Sequence, residues 1–201
     1  MDGVQHQLRR LPAGLALAVA ARGSEGRPGG AEAAGHVDSV LPRDVELARF
    51  RVGLAIPAAF SGGAASRDAL VRRFVDAVER RDTAALAELL LTKSEFAYLY
   101  YPSNPEAQPP YDLSPGLMWF LLEGRSTRGL TRLLEQRGGR PLGITGYSCP
   151  NDAMRQGEIR VWAAYSVRTG NGHRGTVEEW LFGPIVELAG RYKFASYTTK
   201  L

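Results

Sequence analysis

Apolar side chains recur at three- and four-residue steps at Leu70, Val71, Phe74, Val75 and Val78, with Arg72, Arg73, Asp76, Glu79 and Arg80 on the opposite side. That period predicts an amphipathic helix, opened by Ser66 as its cap. Asp82 is placed to cap a second, short helix whose Leu86, Leu89 and Leu90 face inward. Thr92-Lys-Ser-Glu95 has the capping-box spacing, in which a Thr oxygen and a Glu carboxylate satisfy backbone donors reciprocally. It predicts a third helical piece through Phe96, Tyr98 and Leu99. Upstream, residues 37–60 carry a short helix over 42–54, with Pro42 suited to its first turn. Five prolines between Pro102 and Pro115 exclude regular structure there. Ser114-Pro115 then opens a helix through Leu117, Met118, Phe120, Leu121, Leu130, Leu133 and Leu134 to a stop at Gly138, with Gly124 and Gly129 weakening it.

Past Arg140 the period changes from helical to alternating. Ile159, Val161, Ala163, Tyr165 and Val167 alternate with Glu158, Arg160, Trp162, Ala164, Ser166 and Arg168, the pattern of a strand wet on one side. A turn follows over 169–175, then a strand over 176–188 bulged at Gly183-Pro184. Ala189-Gly190 returns the chain into a last strand over 191–199. Helices first and strands afterwards predict an α+β fold, with N-terminal helices packed on a curved antiparallel sheet of three to four C-terminal strands.

The amphipathic helix from Leu70 to Val78, followed by Asp82-Thr-Ala-Ala-Leu, and the terminal hairpin Val186-Glu-Leu-Ala-Gly-Arg-Tyr-Lys-Phe194 carry a resemblance. Over residues 66–201 the chain resembles the NTF2-like, or cystatin-like, superfamily, and within it uncharacterised exported bacterial proteins. The resemblance implies a cone: a curled sheet roofed by helices. The superfamily holds isomerases, dehydratases, transport factors and binding modules, so the fold does not deliver a function. No catalytic motif of the superfamily has a counterpart here, and no catalytic residue is assigned.

The first 36 residues read differently. Arg9 and Arg10 precede an apolar run over 11–21, and Ala18-Val19-Ala20 supplies small residues at its end, the layout of a secretory signal. The run of 11 residues is short for a membrane span, which takes roughly 20. Its end resembles a bacterial lipoprotein signal, but Arg22 stands where the lipidated Cys belongs. The expected organisation is a signal-like segment over 1–21, a flexible tether over 22–36, a short helix and linker over 37–65, and the α+β domain over 66–201. The expected location is the periplasm or cell envelope, without lipidation; a cytoplasmic protein with a frayed N-terminal helix is the alternative.

Composition narrows the chemistry. Of 25 basic residues 22 are Arg, and residues 37–201 hold 21 basic against 18 acidic side chains. The positive charge is scattered, whereas nucleic-acid binding needs it concentrated, so no nucleic-acid partner is expected. Arg125, Arg128 and Arg132, extended by Arg137 and Arg140, read as a solvated helix face. Cys149 is the sole cysteine, which excludes an intramolecular disulfide and a Cys-based zinc site. Histidine is confined to His6, His36 and His173, too few and too badly placed for a His-centred triad or metal cluster. No phosphate-binding glycine loop is present. No metal and no cofactor are expected.

Two kinds of site remain. Tyr98, Tyr101, Trp119, Tyr165, Trp180 and Tyr197 come from several elements that a cone would bring to one cavity, giving apolar walls with a few hydroxyls for a small apolar ligand. The alternative is that they fill the core. An isomerase- or dehydratase-type enzyme would instead need one of Asp112, Glu123, Glu178 or Glu179 in that cavity beside a Tyr hydroxyl; ketosteroid isomerase, an NTF2-like enzyme, shows such a pairing. Glu95 is assigned to the capping box instead. The expected function is a non-catalytic module binding a small apolar ligand or a protein partner, with the enzyme and a structural or dimerising module as alternatives.

Overall fold

The four side-chain caps that the sequence marks are used, whereas Pro42 precedes its helix as the N-cap residue and is not in the first turn. Ser66 Oγ accepts from Ala69 N at 3.1 Å and opens α2 (Arg67–Arg80), and Asp82 Oδ1 accepts from Ala85 N at 2.9 Å and opens α3 (Thr83–Glu88). Thr92 and Glu95 form both halves of the capping box of α4 (Lys93–Glu95). Ser114 Oγ accepts from Leu117 N at 3.3 Å and opens α5 (Pro115–Arg137). Ahead of these lies α1 (Arg43–Phe50), shorter than the predicted 42–54 because the chain leaves the helix in a turn ending at Gly53 with φ of 77°. After α4 the chain widens into a π turn (Phe96–Tyr100), then passes through 3₁₀ turns (Tyr101–Ser103 and Pro105–Ala107) within the proline-rich stretch. Gly138 does end α5, its N–H donating to Leu134 O at 3.0 Å, but the left-handed residue is the next glycine, Gly139.

The computed structural model describes residues 41–149, 152–163, 165–171 and 175–197, with the side chains of 171 and 175–178 excepted. The signal-like segment, the tether, His173 with residues 172 and 174 beside it, and the last two residues of the strand expected over 191–199 lie outside the described residues.

The expected sheet of three to four strands is corrected. There are seven strands among the described residues: β1 (Ile144–Ser148), β2 (Met154–Gln156), β3 (Ile159–Trp162), β4 (Ser166–Asn171), β5 (Gly175–Glu179), β6 (Ile185–Leu188) and β7 (Arg191–Phe194). They form two antiparallel sheets, β1-β4-β5 and β2-β3-β6-β7. Each of the two long alternating runs breaks in the middle and gives one half to each sheet. In the second run the break is at Gly183-Pro184. Gly183 N donates to Ser196 O at 3.0 Å and Ala195 N to Pro184 O at 2.8 Å, so the chain crosses close over the end of β7. A methyl group on Gly183 would meet Ser196 Oγ at 2.5 Å and Ser196 O at 2.8 Å. Gly183→Ala is therefore expected to lose about 1–3 kcal/mol by overpacking, read as a lower urea midpoint. An unchanged midpoint would mean that the crossing has slack. The hairpin is as expected: Ala189 and Gly190, both with positive φ, make a two-residue turn that sets Leu188 opposite Arg191.

A second correction concerns burial. β6 is buried on both faces, all four of its residues being buried. The alternation expected over 158–168 is kept at Arg160 and Arg168, exposed beside buried Ile159, Val161 and Val167, and is broken at buried Trp162. Ile185 and Phe194 join a core with Phe74, Leu70 and Val78 of α2, while Val186, Ile159 and Val161 join another with Phe96, Tyr101 and Met118. The π turn, α1 and the first half of α5 supply that second cover, which no local pattern in the strands announces.

Candidate ligand cleft between α3 and α5

Where α2 meets the strands, rings fill the space. Phe74 is fully buried and its ring stands 5.3 Å from Phe182, 5.5 Å from Phe194 and 5.6 Å from Tyr197. A cleft of about 310 Å³ opens instead on the helical side. α3 and the turn into α4 form one wall with Ala87, Leu90, Leu91, Thr92 and Lys93. Successive turns of α5 form the other, with Trp119, Leu122, Glu123, Ser126, Thr127 and Leu130, and Ala195 after β7 completes the lining.

Helical spacing explains the second wall. Trp119, Glu123, Thr127 and Leu130 follow one another at steps of three or four residues, so they share a face. The leucines, alanines and Trp119 give an apolar surface, and Lys93, Glu123 and Thr127 are exposed. Ser126 is buried and its Oγ accepts from Tyr197 N at 3.1 Å, tying the wall to the strand end. The volume is near the lower bound of small-molecule sites, roughly 300–1,000 Å³, and the mix of apolar walls with few polar groups is typical of them.

The six candidate aromatics are not brought to one cavity. Trp119 alone of them lines the cleft, its ring 5.2 Å from that of Phe96. Tyr98 is half-buried beneath the Arg51 guanidinium, 4.4 Å away. Tyr101 and Tyr197 are core residues whose hydroxyls donate to Leu113 O at 2.8 Å and Leu86 O at 2.7 Å. Burial pushes both phenols above their ordinary range. Tyr165 is buried in the α2 core, and Trp180 is exposed at a bridge after β5. The space between α2 and the strands takes rings as packing, because helix and sheet approach closely enough for them to interlock.

The carboxylates are dispersed as well. Asp112 is exposed, in a left-handed backbone conformation, and Glu123 is exposed on the cleft wall. Glu179 is held by Arg137 and accepts from Thr169 Oγ1 at 3.4 Å. The side chain of Glu178 lies outside the described residues. Arg125, Arg128, Arg132 and Arg140 are exposed. Among the described residues no group of three His, Cys, Asp or Glu side chains is placed to hold a metal, and no helix is long and apolar enough to cross a membrane.

The polar feature that sequence reasoning missed is Lys193. It and Glu95 are each 1% exposed and their charged groups are 2.8 Å apart. Lys193 Nζ also donates to Ser61 O at 2.8 Å, while Glu95 accepts from Ser61 N, Ser61 Oγ and Thr92 N. Burial by itself would push the Glu95 carboxyl up; the Lys193 ammonium and the backbone N–H groups of Thr92 and Ser61 outweigh it and hold the carboxyl below its ordinary value. A fully paired carboxylate of this kind is not a base for a substrate, and neither residue lines the cleft. The signal available in the sequence was a lysine between Tyr192 and Phe194, where alternation assigns it to the face opposite both rings.

Comparison of this chain with family models, with curated proteins and with solved structures returns no match.

Proposed function

We propose that this protein is a non-catalytic binding module with an NTF2-like cone architecture, acting in the cell envelope and taking a small, largely apolar ligand in the cleft between α3 and α5. The observation that carries the reading is the cleft itself, with its leucine and tryptophan walls and exposed Lys93, Glu123 and Thr127. Such a surface suits a molecule with an apolar body and one hydrogen-bonding or anionic end directed at Lys93. The succession of amphipathic helices and antiparallel strands supports the cone, and the basic-apolar-small pattern of residues 9–21 supports export.

Titration with the anionic apolar probe anilinonaphthalene sulfonate tests it. Saturable uptake at one site per chain is expected. Thr127→Phe, which places a ring in the cleft from an exposed position, is expected to weaken uptake about tenfold, or 1.4 kcal/mol, with the melting temperature unchanged. Non-saturable uptake, or affinity indifferent to Thr127→Phe in a protein that melts normally, overturns the reading.

A further inference from the structure

A second polar cluster lies away from the cleft, where the start of α2 meets the end of β1. Arg67 is the first residue of α2, and its guanidinium donates to Cys149 Sγ at 2.7 Å. The same guanidinium lies 4.9 Å above the Trp162 ring, which holds it in place. Cys149 is half-buried. Tyr147 closes one side, its hydroxyl donating to Asp68 Oδ1 and its ring 6.1 Å from that of Tyr165.

Tyr165 is the independent observation. It is 1% exposed, and its hydroxyl faces Arg67 and Cys149 yet makes no well-formed hydrogen bond. A buried hydroxyl without a partner is costly and rare in a folded protein. Here it is aimed at a sulfur, a poor acceptor. An oxygen atom added to that sulfur would supply the missing acceptor.

We propose that Cys149 is a redox-modification site, oxidised by a small hydroperoxide to a sulfenic acid that Tyr165 and Arg67 stabilise by hydrogen bonding. Arg67 engages the sulfur in the way that a nucleophilic thiolate is engaged. The sulfur attacks one peroxide oxygen, an S–O bond forms as the O–O bond breaks, and the departing hydroxide or alkoxide takes up the proton that the Cys149 thiol gives up, leaving as water or an alcohol. Sulfur is oxidised by two electrons and the peroxide is reduced by two. Cys149 is the chain's only cysteine, so the sulfenic acid has no resolving thiol within the chain. An external low-molecular-weight thiol completes the sequence: its sulfur attacks the sulfenic sulfur, a mixed disulfide forms and water leaves. The site is independent of the cleft and of the binding function proposed for it.

The test is hydrogen peroxide treatment of the reduced full chain, with dimedone capture and peptide mass analysis. The expected result is an adduct at Cys149, formed about tenfold faster in the native protein than in the same protein unfolded in urea. Arg67→Gln is expected to remove that advantage. Tyr165→Phe, which keeps the ring, is expected to leave the first oxidation within about twofold and to divert product from sulfenic to sulfinic acid. Equal rates in native and unfolded protein overturn the proposal without any variant. A native rate unchanged by Arg67→Gln in a protein of unaltered circular dichroism also overturns it.

Discussion

Lys193→Met is expected to destabilise the protein by about 3–5 kcal/mol, because it leaves the Glu95 carboxylate buried without its cation. Both partners are 1% exposed, and Glu95 keeps only its bonds to Ser61 and Thr92 once Lys193 is gone. The damage belongs to the orphaned charge rather than to the lost attraction. The double variant Glu95→Gln/Lys193→Met, which has no charge to strand, is therefore expected to be more stable than Lys193→Met alone. Urea titration of the two variants and the parent measures this. A single variant within about 1 kcal/mol of the parent would show that the pair is open to water, since exposed pairs contribute no more than that.

The pair also sets a pH dependence whose direction follows from linkage. Glu95 and Glu187 are both held below the ordinary carboxyl value of 4.5. For Glu187, burial opposes the shift, and the Arg160 guanidinium at 2.5 Å with the Gly190 N–H at 2.6 Å outweigh it. A carboxyl depressed on folding contributes stability that is fully present above its unfolded value and lost as pH falls through its folded value. Stability is therefore expected to decline from about pH 4.5 downward. In Lys193→Met the Glu95 part of that decline should disappear, since burial is then opposed by fewer partners.

Phe74→Ala is expected to lose about 3–5 kcal/mol, the range for emptying a buried aromatic site. Phe74 is the contact through which α2 meets three rings at once, those of Phe182, Phe194 and Tyr197. Phe182 and Phe194 are themselves 4.8 Å apart, so the surrounding wall is braced and cannot collapse into the space. The midpoint of urea unfolding should fall with no change in slope. A loss below about 1 kcal/mol would mean that the helix and sheet are loosely packed, which would reopen a ligand cavity between them.

How much of this was legible before folding can be read from particular residues. The capping groups Ser66, Asp82, Thr92 with Glu95, and Ser114 each do in the structure what their spacing announces. These are contacts within one turn, decided over three or four residues. The Ala189-Gly190 hairpin belongs to the same class. The residues from Phe96 to Ser103 show where such reasoning stops. The capping box starts a helix there, but the turn widens and then tightens as Phe96, Tyr100 and Tyr101 seek buried places against β3 and β6.

Helix starts, the order of helices before strands and the tight final hairpin were thus written in the chain, because hydrogen-bond caps and side-chain periodicity act over distances of a few residues. Tertiary structure alone decided the division into two sheets at Gly183-Pro184, the cover on the second face of β6, the pairing of Glu95 with Lys193 and the place of the cleft. Each of these joins residues remote in sequence: 98 positions separate Glu95 from Lys193. Whether an aromatic side chain fills a core or lines a cleft depends on what packs opposite it, and nothing in its own neighbourhood along the chain carries that information.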